Sequence, residues 1–93
     1  MTMALTISDA VIWQETADGV SLYHTETGAF STLNETGSKI WMMVEQTGER
    51  EPIALSMSRA YARGNDAVSR RIVTEVNQFI GSMVENGMLL EEA

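Results

Sequence analysis

The stretch that decides the fold is DGVSLYHTETGAFSTLNETGSKIW, residues 18–41. Asp18-Gly19 opens it, between two runs rich in β-branched and aromatic residues. Glycine takes positive φ without steric cost, so this pair predicts a hairpin. Upstream, AVIWQET (10–16) reads as a first strand. Downstream, VSLYHT (20–25) reads as a second, with Val20 and Leu22 on one face and Ser21 and Tyr23 on the other. A second turn at 25–28 leads into AFSTL (29–33), a third short strand. The N-terminal third is expected to be an antiparallel meander.

Asn34 then stands where an N-cap belongs, its side-chain oxygen able to accept a backbone N–H from the first helical turn. Ile40, Trp41, Met43 and Val44 keep helical spacing up to Thr47-Gly48, where glycine suits the C′ position. Pro52 predicts the start of a second helix, with Ile53, Met57 and Tyr61 four apart on one face and Gly64 at its end. Asn65 or Asp66 caps a third helix over 66–86, whose central stripe is Val68, Ile72, Val76, Phe79, Ile80 and Met83. At 100° per residue, Val73, Asn77, Ile80 and Val84 lie beside that stripe, with Arg70 at their outer edge. This flank is more apolar than a solvated one needs to be. Asn86-Gly87 closes the helix, and Met88, Leu89 and Leu90 form an apolar tail that can return to the core. Residues 1–9 are weakly patterned and read as a loosely ordered N-terminus.

The 93 residues make a single domain, 1–93. The expected fold is α+β, a winged helix-turn-helix with an N-terminal three-stranded antiparallel sheet followed by three helices. The absence of cysteine removes disulfides, thiolate metal sites and cysteine nucleophiles. The net charge of −7 opposes a phosphate-seeking surface and suits a peptide or protein partner. No apolar run approaches the roughly 18 residues of a membrane span, and no secretory pattern opens the chain. A cytoplasmic protein without a membrane partner is expected.

Reactive chemistry finds no foothold. His24, the sole histidine, reads as a strand-end surface residue with no nucleophile beside it. The acidic residues are scattered, with neither a calcium loop nor an HExxH pattern. No catalytic residue, metal ligand or cofactor is expected, and the chain reads as a non-enzyme. The seven methionines read as gap-fillers of a small core, and Trp13 and Trp41 as its anchors. Arg70-Arg71 suit an acidic peptide or a solvated helix turn equally. A DNA-binding winged helix matches the shape but not the charge, since Glu75 and Glu85 share the third helix with those arginines.

The pieces Asp18-Gly19, Leu22-Tyr23, Thr27-Gly28, Leu33-Asn34 and Ile40-Trp41 come in a telling order. So do Glu75-Val76, Phe79-Ile80, Met83 and Gly87-Met88-Leu89 after them. Over roughly residues 10–90 the chain resembles the PqqD-like family, the recognition elements of ribosomally made and post-translationally modified peptides. The resemblance implies binding of a precursor's leader peptide as an added strand on the third strand, in the groove with the third helix. It also implies a partner enzyme, such as a protease or a radical SAM enzyme, to which the precursor is presented. Glu75 stands where the family often has Asp, the first helix is methionine-heavy, and the turn before the third strand departs from PqqD proper. The chain is therefore similar to a stand-alone element of another peptide class, such as the leader-binding protein of a lasso-peptide system.

This role explains why the clearest signal is a hairpin. The last strand of a meander leaves an edge of unpaired backbone groups, a hazard unless a partner uses it. An extended peptide can pair there, with backbone bonds giving affinity and alternate side chains giving specificity. The expected binding residues are Ala29, Phe30, Ser31, Thr32 and Leu33 on the strand. Val73, Asn77 and Ile80 are expected on the facing wall, with Arg70 at its mouth. Proline at Ser31 is expected to weaken binding. Five residues do not fix which face of the strand looks into the groove. The other function classes are DNA binding and a self-assembling subunit, a homodimer whose free edge pairs with a second copy.

Overall fold

Both hairpins form where turn chemistry places them. In the computed structural model, which describes residues 4–92, β2 (Val11–Thr16), β3 (Gly19–His24) and β4 (Phe30–Thr32) make an antiparallel sheet in the order β2-β3-β4. Gly19 turns the first hairpin at φ 125°, and a Cβ there would overlap the Leu33 carbonyl oxygen. The first turn and the end of the third strand thus need the same glycine. Alternation assigns the faces: Val11, Val20 and Leu22 are buried, whereas Ile12 and Tyr23 point outward.

Three helices follow: α1 (Glu35–Gln46), α2 (Arg50–Ala62) and α3 (Asp66–Glu85). Asn34 and Asn65 cap α1 and α3, accepting from Gly37 N at 2.8 Å and Val68 N at 3.1 Å. α2 begins at Arg50, two residues before Pro52. The proline still sits in the first turn, where its missing N–H has no helical partner to lose. At the other end Arg63 itself takes the left-handed conformation (φ 49°) ahead of Gly64. The core lies between the sheet's inner face and the helices, around fully buried Val20, Leu22, Trp41, Ile53, Met57, Ile80 and Leu89. Trp13 meets Trp41 edge-on, with ring centroids 6.2 Å apart.

Two expectations are corrected. The N-terminal segment expected to be loose contains a strand, β1 (Ala4–Ile7), paired antiparallel with β5 (Leu89–Glu92). Its partner is the apolar tail after α3, so no local pattern announces it. Leu5 and Leu89 are both buried by the pairing. Residues 1–3 of that segment lie outside the described residues. His24, in turn, is not a surface residue. It is buried, and its Nδ1 accepts the backbone N–H groups of Glu26 and Thr27, each at 3.3 Å, which closes the second turn. Its ring lies against Gly87, where a Cβ would stand 3.4 Å from Nε2.

Candidate peptide-binding groove

The polarity of β4's backbone follows from its register. His24 N donates to Ala29 O (2.9 Å) and Leu33 N donates to Val20 O (2.8 Å). The Cα partners are Tyr23 with Phe30, Leu22 with Ser31 and Ser21 with Thr32. In an antiparallel ladder, hydrogen-bonded and non-hydrogen-bonded pairs alternate. Ala29, Ser31 and Leu33 therefore turn their N–H and C=O groups toward β3. Phe30 and Thr32 turn theirs toward the open edge, and their side chains lie on the sheet's outer face. Ser31 is the β4 residue on the inner face, opposite buried Leu22. The register thus fixes which β4 side chains lie on the inner and which on the outer face of the sheet.

The chain then turns into α1 so tightly that the end of the edge is built into the helix. Ser38 Oγ accepts the Val20 N–H (2.9 Å) and donates to the Leu33 carbonyl (3.2 Å), pinning β3, β4 and α1 together. Beside this junction a cleft of about 520 Å³ opens between the end of β4 and α3. Its strand side is Thr32 and Leu33, its α3 wall Ile72, Glu75, Val76 and Phe79. Ile40 of α1 and Met57 of α2 line its floor, and Tyr61 stands with them. Gly37 also lines it. A Cβ at Gly37 would lie 3.2 Å from Phe79 Cε2, so glycine lets α1 and the Phe79 ring approach.

The cleft is apolar within and polar at its rim. Glu75 pairs with Arg71 one helical turn away at 3.3 Å. Lys39 Nζ donates to the Tyr61 hydroxyl at 2.7 Å and lies 3.4 Å from Glu35. The Tyr61 hydrogen bond first, and Glu35 after it, raise the Lys39 amine above its usual range.

Of the residues singled out from sequence, Ala29, Phe30 and Thr32 lie exposed on the edge segment, Ser31 is half-buried and Leu33 is buried at the cleft. The α3 flank is placed elsewhere. Ile80 is 0% exposed, deep in the core. Val73 packs half-buried against that core, and Arg70 is exposed outside the cleft. Asn77 Oδ1 accepts from Arg50 Nη1 at 3.3 Å, and the same guanidinium grips Glu91 of β5 at 2.8 and 3.1 Å. The cleft wall is instead part of the central stripe, with Glu75 added. The stripe is wide enough to serve both core and cleft, and periodicity does not say which edge of it a neighbour leaves uncovered. Gly37 and Phe79 carried the available signal, a helical glycine and an aromatic, but only their proximity makes it readable.

Comparison with known proteins finds the same fold. The model of the family described as coenzyme PQQ synthesis protein D (PqqD) matches residues 19–89. The solved structure of TbiB1 in complex with the TbiA(beta) leader peptide is similar, with a TM-score of 0.79 and 27% identity over 91% of this chain and 94% of that one. A lasso peptide synthetase B1 complexed with the leader peptide shares the fold at a TM-score of 0.76 and 17% identity, over 94% and 98% of the two chains. No curated protein matches the chain.

Proposed function

The chain belongs to the PqqD family, and on that footing we propose that it binds the leader peptide of a ribosomally synthesised precursor by strand addition to β4. One observation carries the reading: Phe30 and Thr32 turn their N–H and C=O groups to the open edge of β4, and that edge runs at Thr32 and Leu33 into a cleft of about 520 Å³ with an apolar floor. A peptide paired there satisfies the open edge and sends alternate side chains toward the helices. Those side chains meet Ile72, Val76 and Phe79, and burial of their apolar surface supplies most of the affinity. The similar TbiB1 structure, a complex with the TbiA(beta) leader peptide, supports the same choice of ligand.

The protein acts by presentation, not catalysis. It holds the leader while a separate modifying enzyme, a protease or a radical SAM enzyme, works on the rest of the precursor, in the cytoplasm where the precursor is made. No described helix is long and apolar enough to cross a membrane.

The test is fluorescence anisotropy with a labelled leader from the precursor encoded beside this protein, at two salt concentrations, with a DNA duplex as control. Micromolar or tighter binding of the leader that survives added salt supports the proposal. A folded protein that ignores the leader overturns it. Salt-sensitive duplex binding then points to nucleic acid, and dimerisation in sedimentation to self-pairing of the edge.

A further inference from the structure

The outer face of the β2-β3-β4 sheet carries an unused pattern. Ile12 pairs with Tyr23, and Tyr23 with Phe30, so the three form one row across the sheet. They are 62, 42 and 68% exposed, three of the large apolar side chains that the fold leaves in water. The neighbouring row, Gln14–Ser21–Thr32, is polar throughout. Both rows end on the free edge, at the two residues whose N–H and C=O groups point outward.

Resting on the strand-addition reading above, we infer that the sheet reads the bound leader on its outer face as well as in the cleft. In an antiparallel addition, the leader residue opposite Phe30 becomes the fourth member of the Ile12–Tyr23–Phe30 row. The residue opposite Thr32 extends the polar row. The leader residue between them points the other way, into the cleft. Cross-strand neighbours on one face are in contact, and aromatic–aromatic or aromatic–β-branched pairs stabilise a sheet more than alanine pairs do. The ligand class is thus an extended segment with an aromatic or β-branched residue opposite Phe30 and a polar residue two positions away. Phe30 is the residue that sets this preference. Its exposure on an edge strand marks it as a contact surface, since nothing in the described fold covers it.

The experiment is a double-mutant cycle. Each position of the precursor leader is changed to alanine and its affinity measured against the wild-type protein and Phe30→Thr, which keeps a good strand former at an exposed site. We expect Phe30→Thr to weaken the leader about two- to ten-fold. One leader position, carrying an aromatic or β-branched side chain, should lose most of its own alanine effect in that background. Circular dichroism reports that the variant is folded. If the leader binds but no position couples to Phe30, the outer-face inference is overturned while strand addition stands. If the leader does not bind the wild-type protein, strand addition itself has failed.

Discussion

Replacing Thr32 with proline separates the edge from the sheet it belongs to. Thr32 turns its N–H outward, so the substitution deletes a donor that no described residue uses. Proline is tolerated on an edge strand when the missing N–H faces away from the ladder. Its demand that the preceding residue stay extended is already met by Ser31 in β4. The folded protein should therefore survive. A bound leader, in contrast, keeps a carbonyl aimed at a group that no longer donates. An acceptor left unpaired on desolvation costs about 1–3 kcal/mol, which corresponds to roughly five- to 150-fold in Kd. Ser31→Pro makes the informative contrast. Its N–H points inward to Leu22, so the same ring removes a rung of the sheet itself and should lower the melting temperature as well as binding. The sequence alone suggested Ser31 as the probe; the register moves it by one residue. The assay is leader anisotropy alongside thermal denaturation, with Thr32→Val as a control that keeps the N–H. A folded Thr32→Pro protein whose leader affinity stays within twofold of wild type would refute edge pairing at β4.

Three further outcomes are expected. Phe79→Ala removes the aromatic wall of the cleft and should weaken the leader by about 1–2 kcal/mol, or roughly five- to thirty-fold, by anisotropy. Leu5→Ala should cost about 2–5 kcal/mol in urea unfolding, because Leu5 is 2% exposed and β1 joins the ends of the chain; a cost under about 0.5 kcal/mol would contradict the β1–β5 pairing. Glu91→Ala leaves Arg50 half-buried without its bidentate partner and should destabilise by about 1–3 kcal/mol. Leader affinity is then unchanged in the protein that remains folded, since this clamp lies outside the cleft.

The stretch from Asp18 to Trp41 determined the meander, its two turns, the cap at Asn34 and the free third strand, because each of these depends on residues within a few positions of one another. Turn dipeptides, alternation and capping are local chemistry, and the same holds for the limits of α3. What depended on contacts between distant segments was decided only in three dimensions. β1 exists because the tail after α3 comes back to meet it, some eighty residues away in the chain. His24 is buried because the second turn folds its own N–H groups onto the ring and Gly87 closes the space beside it. Above all, the α3 residues that line the cleft are Ile72, Glu75, Val76 and Phe79, while Asn77 bonds Arg50 and Ile80 lies in the core. A helix announces by its period which residues are apolar. Which of them meet a neighbour and which are left open to a ligand depends on how the helix is rotated against the elements beside it, and that rotation is set by packing the whole core at once.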